Sequence, residues 1–315
     1  MKKTLFFLFF IILIVVCLLN IDTISEKAIS LLDSTPKPVI TAGNEYTKNK
    51  GYQFVGLSED YIPFSYQDLL DIIYSTINNG WEKFTFYCPS EYTDCIKDIE
   101  KICDDSVLLT HINNYVHPFN NFTNLKSSIA ESGEVNLTIT YLYSKDEQKY
   151  IIDEVNKKIS ENVDDTMNNY DKIKAVHDYI ANNTKYDVDK NETNDNTSLS
   201  YKATGLLKNH LATCNGYADT MAIVLTQMGF DNYKIATTPD EISYSATGHV
   251  WNAVYVDDEW RHLDLTWDDP VSSDGKDYLY HKYFLVTNDE MAEADKGDVE
   301  IEEHNFNKQI YLEFK

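Results

Sequence analysis

Two extended runs, Gly248-His249-Val250-Trp251-Asn252-Ala253-Val254-Tyr255-Val256 and Trp260-Arg261-His262-Leu263-Asp264-Leu265, are separated only by Asp257-Asp258-Glu259. Runs this rich in Val and aromatic residues, and this close in sequence, predict an antiparallel hairpin. The hairpin constrains the fold more than any other stretch, because its register decides which side chains share a face. With a two-residue turn at Asp257-Asp258, position 251 faces 264 and His249 becomes a diagonal neighbour of Asp264, about 7–8 Å away between backbones. Their side chains can meet at that distance. A turn at Asp258-Glu259 would instead set Asp264 opposite Ala253. His262 falls on the same face and is a rival base, but Gly248 leaves room beside His249, and His262 lies nearer the turn.

Upstream, Cys214 stands directly ahead of an apolar helix running through Met221, Ile223, Val224, Leu225 and Met228 to Gly229. A thiol at a helix N-terminus sits among unpaired N–H groups and the positive end of the dipole, which favour a thiolate and can hold an oxyanion. A helical Cys is also a common inert filler, so Cys214 alone decides nothing.

Together these residues carry a resemblance. Thr204-Gly205-Leu206-Leu207 with Cys214-x-Gly216-Tyr217-Ala218, then Gly248-His249-Val250-Trp251-Asn252, then Trp260-x-x-x-Asp264-x-Thr266-Trp267-Asp268 resemble the transglutaminase-like superfamily over roughly Lys172 to Pro270. The resemblance implies an α+β, papain-like/transglutaminase-like core in which a helix carries the Cys and a sheet carries the His and Asp. It implies Cys214 as nucleophile, His249 as its base and later acid, and Asp264 as the group orienting the imidazole. Leu265 stands where the family often has Pro. Tyr217, Trp251 and Trp267 are candidate walls of a substrate cleft, although aromatics beside a strand more often pack in a core. Animal transglutaminases use calcium, and that property does not carry over: Asp187, Asp189 and Asn191 alternate as in a calcium loop, but the sixth position lacks Gly and Ser198 holds the twelfth. Asp268, Asp269, Asp274 and Asp277 read as a solvated acidic loop. The expectation is no metal and no cofactor.

The remaining sequence sets the context. Lys2 and Lys3 precede an apolar run from Leu5 to Leu19, so residues 1–21 read as a signal peptide or signal anchor. Residues 22–50 read as a polar stalk, 51–145 as a smaller N-terminal α+β domain, and 146–315 as the transglutaminase-like domain. In the N-terminal segment the patterns predict strands at Tyr52 to Val55, Lys83 to Cys88, Asn113 to Val116 and Val135 to Tyr143, with helices at Tyr66 to Asn78 and Tyr92 to Cys103. Its two histidines, His111 and His117, fall on a strand-like stretch. Beyond it, two amphipathic helices are expected around Glu147 to Ile159 and Asp171 to Asn182. The five cysteines form no disulfide framework, and Cys88 could pair with Cys95 or Cys103 or leave all three as buried hydrophobes.

A net charge of −24 supplies no basic patch for nucleic acid. The expected activity is therefore that of an extracytoplasmic thiol enzyme, membrane-anchored by its N-terminal segment or secreted. It would act on amide bonds of protein or peptide substrates, such as cell-wall peptides or surface proteins, through an acyl-enzyme resolved by water (peptidase or amidase) or by an amine (transglutaminase). The alternative is a non-catalytic surface binding module that keeps the fold.

Overall fold

The computed structural model describes residues 50–193, 197–237, 248–271, 278–297 and 303–315. The export segment at 1–21 and the stalk up to residue 49 lie outside the described residues. Among the described residues no helix is long and apolar enough to cross a membrane.

Among the described residues the first element is α1 (Tyr66–Asn78), as the periodicity predicts, capped by the Ser65 side chain accepting from the Asp68 N–H. Its apolar face, including Leu69, Ile72, Ile73 and Ile77, is fully buried. Next come β1 (Lys83–Tyr87), α2 (Cys95–Asp104), α3 (Ser106–Tyr115), β2 (Phe122–Ile129) and β3 (Glu134–Tyr141). The strands form an antiparallel sheet in the order β1-β3-β2. Val135, Leu137 and Ile139 point from β3 into the core while Thr138 and Thr140 face outward. A disulfide joins Cys88, just past β1, to Cys95 at the start of α2, and Cys103 is free.

Two expected strands are corrected. Asn113 to Val116 is not a strand: residues 113–115 finish α3, whose cap is Asp105 accepting from the Leu108 N–H. Over four residues a period of 2 and one of 3.6 are hard to tell apart, and the buried His111, Ile112 and Tyr115 fit the helical spacing. His111 therefore sits on a helix, and His117 is the cap of a short 3-10 turn at Pro118–Asn120. Tyr52 to Val55 joins no sheet. It is held by side chains, with the Tyr52 hydroxyl donating to the Asn232 carbonyl and the Gln53 N–H to Glu313 Oε1.

The second half starts with α4 (Lys145–Asn162), closed by a capping box between Ser144 and Glu147, and α5 (Asn169–Asn183). A short parallel pair follows, β4 (Lys185–Tyr186) with β5 (Leu211–Ala212). Between these lie α6 (Val188–Thr193) and α7 (Ala203–Asn209). Then come α8 (Cys214–Gln227) and the antiparallel sheet β6 (Asn232–Ala236), β7 (Val250–Val256) and β8 (Glu259–Leu263), in that order. A single turn of helix, α9 (Leu265–Asp268), and α10 (Asn288–Gly297) follow. The architecture is α+β.

The β6-β7-β8 sheet is covered on both faces. Val254, Val256 and Leu263 pack with α4, α5 and α8, whereas Tyr233, Ile235, Trp251 and Ala253 join the core built by α1, α3 and the first sheet. The two segments read from sequence as 51–145 and 146–315 thus share a core. They are also linked by a buried polar cluster around Asp219 of α8. Asp219 accepts from the Tyr143 hydroxyl at 2.5 Å and Asn121 Nδ2 at 2.7 Å, and pairs with Lys234.

Candidate active site

The hairpin turn is Asp257-Asp258, both residues at positive φ (51° and 69°), the conformation of a type I′ turn. Asn252 accordingly pairs with Leu263, so the next positions, 251 and 264, face each other. His249 Nε2 lies 2.5 Å from Asp264 Oδ2. Cys214 is the first residue of α8, after Thr213 at the cap, and its side chain lies close enough to the His249 ring to favour the charged imidazolium. With Nε2 committed to Asp264, Nδ1 is the nitrogen left for the thiol. Cys214, His249 and Asp264 therefore come together, with the helix supplying the first and the sheet the other two.

Local sequence explains these placements. Gly216 lets the start of α8 approach the Leu199–Tyr201 turn so closely that a Cβ there would collide with the Ser200 carbonyl oxygen. On the sheet side, the His249 N–H donates to Thr237 Oγ1 at 3.0 Å, fixing the residue just before β7. Asp264 caps α9, its Oδ1 accepting from the N–H groups of Thr266 (2.8 Å) and Trp267 (3.2 Å).

Asp264 Oδ2 also meets a ring that sequence reasoning did not select: His304 Nε2 at 3.0 Å, whose Nδ1 is 2.7 Å from Asp295. His304 lies 40 residues beyond Asp264 with no motif spacing to mark it. Its only sequence signal is that it is a histidine in an acidic stretch.

Burial alone would disfavour the imidazolium of His249, but the charge of Asp264 and its hydrogen bond outweigh this and raise the His249 pKa well above the ordinary value. His304 follows the same pattern, burial being outweighed by its bonds to Asp264 and Asp295. Burial pushes the Asp264 carboxyl upward, yet the two rings hold it below the usual carboxylate range.

His262 does not compete as base. It is buried, its Nδ1 accepts from Trp251 Nε1 at 3.0 Å, its Nε2 lies 2.7 Å from Asn288 Oδ1, and burial lowers its pKa to about 3. Of the three candidate cleft aromatics, Tyr217 and Trp251 are 0% and 1% exposed. Trp251 stacks on His249, and Tyr217 donates its hydroxyl to Asp269. Trp267 is half-buried, with Nε1 donating to Glu303 Oε2 at 3.2 Å. Tyr186 of β4 stands near Cys214, and burial, with the charge of Cys214 next, raises its pKa. The acidic group expected to be solvated is not so throughout: Asp268 and Asp269 are buried and partnered by His177 and Tyr217, while Asp274 and Asp277 lie outside the described residues.

Cys214 at the start of a helix thus lies against His249 and Asp264 on an adjoining hairpin. Residues 154–265 match the sequence model of the Transglutaminase-like superfamily, and this part of the chain is a transglutaminase-like domain. Kyphoscoliosis peptidase of Mus musculus is 22% identical over 42% of this chain, and that of Homo sapiens 23% over 41%. The matched region spans 21% of each of those proteins' length. A solved structure described as a TGase matches with a TM-score of 0.35 and 17% identity, over 50% of this chain and 48% of its own.

Proposed function

We propose that this chain is an exported thiol enzyme acting on amide bonds, with Cys214 as nucleophile, His249 as base and then acid, and Asp264 orienting the imidazole. The observation that carries this reading is the Cys214 side chain at the start of a helix beside the His249 ring, which is itself hydrogen-bonded to Asp264 on the hairpin. The thiol sulfur attacks the amide carbonyl carbon, its proton passes to His249, and His249 returns it to the departing amine, leaving a thioester on Cys214. Water or a second amine then attacks the thioester and releases Cys214, giving hydrolysis or transamidation respectively.

The apolar run at Leu5 to Leu19 supports export, and the Cys88–Cys95 disulfide supports an oxidising compartment. Protein or peptide substrates at the cell surface, including wall peptides, fit that location. A second reading, a surface binding module without catalysis, is favoured by one observation: Cys214 is only 5% exposed.

Alkylation of Cys214 by iodoacetamide, mapped by mass spectrometry across pH beside a His249→Ala control, separates the two. Labelling at neutral pH that slows markedly in His249→Ala supports the enzyme. Labelling that is slow and indifferent to His249 rejects it.

A further inference from the structure

A second group of histidines and carboxylates lies behind the candidate active site. His177 and Asp178 sit on α5, and His281 precedes Tyr283 and Phe284 in the segment leading to α10. His281 Nε2 is 2.6 Å from Asp178 Oδ1, and His177 Nδ1 is 3.0 Å from the same oxygen. The ligating atoms of all three residues fall within 4.8 Å of one another. Asp178 Oδ2 is separately paired with Lys174, which leaves Oδ1 to the two rings.

We propose that His177, Asp178 and His281 form a site for a divalent transition-metal ion of the Zn2+ type. Two features beyond proximity point there. His177 is fully buried and presents both ring nitrogens to carboxylates, Nδ1 to Asp178 and Nε2 to Asp268 Oδ2 at 3.2 Å. A neutral imidazole has one proton for those two contacts, so the other contact is met either by a second proton on the ring or by a metal ion. A metal on Nδ1, with the proton kept on Nε2 toward Asp268, is the carboxylate–histidine–metal arrangement that fixes the ring and its tautomer. Neither His177 Nε2 nor Asp268 Oδ2 makes a well-formed hydrogen bond as it stands, and both are buried.

The donor set suits the ion. Two imidazole nitrogens and one carboxylate oxygen are ligands that Zn2+ takes at about 2.0–2.1 Å. A tetrahedral ion with such bonds separates its ligands by roughly 3.3 Å, so the present 2.6 and 3.0 Å spacings need only a slight opening. Phe284 packs against both rings, with centroids 4.9 Å from His177 and 5.8 Å from His281, giving an apolar wall. The His281 side chain is 33% exposed, which leaves an access route and room for water as fourth ligand.

The site would be structural. Asp268 lies one helical turn beyond Asp264, its N–H donating to the Asp264 carbonyl at 3.2 Å. The Tyr283 N–H donates to Asp268 Oδ1, and the Asp264 N–H to the Tyr283 carbonyl, each at 3.0 Å. An ion tying His281 to α5 therefore braces the turn that holds Asp264, without entering the chemistry.

The test uses the full-length chain, stripped with chelator and titrated with Zn2+ by calorimetry, with bound metal counted by mass spectrometry. One ion per chain is expected, lost in His281→Ala, weakened about 10–100-fold in Asp268→Asn, and unaffected by Cys214→Ala or Cys103→Ser. His281 is partly exposed, so its variant is checked for an unchanged circular dichroism spectrum; Co2+ loading should give tetrahedral visible absorption in the parent and not in that variant. Zn2+ uptake no greater than in His281→Ala, or uptake abolished by Cys214→Ala, overturns the proposal. So does a metal-indifferent chain whose His177 ring is doubly protonated by 15N NMR, since a second proton then takes the metal's place.

Discussion

His304 meets Asp264 at 3.0 Å through the same carboxylate oxygen that His249 uses. The candidate orienting group is thus fixed by two rings and two backbone N–H groups, and His304 is itself held from behind by Asp295. In the proposed enzyme His304 would act through Asp264 as a positioning residue.

Replacing His304 removes a cation close to His249, so the imidazolium of His249 loses a like-charge neighbour and its pKa rises further. In His304→Ala the pH inflection of the His249 ring resonances, followed by NMR, is expected to move upward from its already raised position. An unmoved inflection would mean that His304 only packs.

Stability should depend on pH with a definite sign. His249 and His304 have raised pKa values in the fold, so their contribution is complete below the unfolded value of about 6.5 and is lost as pH rises through the folded values. Asp264 has a lowered pKa, so its contribution is complete above about 3.9 and is lost as pH falls through its folded value. These are two sides of one set of contacts. Urea titrations should show the advantage of the parent over His304→Gln greatest between about pH 4 and 6.5, declining on either side.

Asp264→Asn keeps an oxygen for the Thr266 and Trp267 N–H groups but turns an NH2 toward His249, favouring the wrong tautomer. Turnover of any amide substrate should fall on the order of 10⁴-fold, with little change in the circular dichroism spectrum. A loss of tenfold or less, ~1.4 kcal/mol, would remove Asp264 from the mechanism.

At Gly216 there is no space for a methyl group against the Ser200 carbonyl. Gly216→Ala should destabilise the chain by about 1–3 kcal/mol through overpacking and displace the start of α8. Thermal unfolding and Cys214 labelling should decline together.

Asp219→Ala would leave Lys234 buried without its counter-charge and the Tyr143 hydroxyl without its acceptor. The expected cost is about 3–5 kcal/mol, read by denaturant unfolding. Asp219→Asn should recover part of it, because its side-chain oxygen still accepts from Tyr143.

Much of the candidate site was legible because its geometry is local. Residues 249 and 264 belong to one hairpin, and the turn at Asp257-Asp258 alone sets their register. Cys214 was legible because the apolar run behind it begins at that residue. His304 was not: its contact with Asp264 depends on where the chain returns after α10, and no periodicity encodes that. The helix over Ser106–Tyr115 was misread at its end because Asn113 to Val116 is too short for a period to register. Strand β2 escaped notice because Phe122–Ile129 is half exposed and shows only Leu125 fully in the core.

The shared core bears on how this chain can be cut. Tyr115 stacks on Tyr233 at 4.6 Å between ring centroids, and Tyr52 packs edge-on against the same ring at 5.4 Å. A fragment beginning at residue 146 would carry the whole candidate site yet present the Tyr233, Ile235 and Trp251 face of its sheet to water. The N-terminal segment therefore covers that face of the sheet, and the fragment from residue 146 is expected to express as a less soluble chain than the whole.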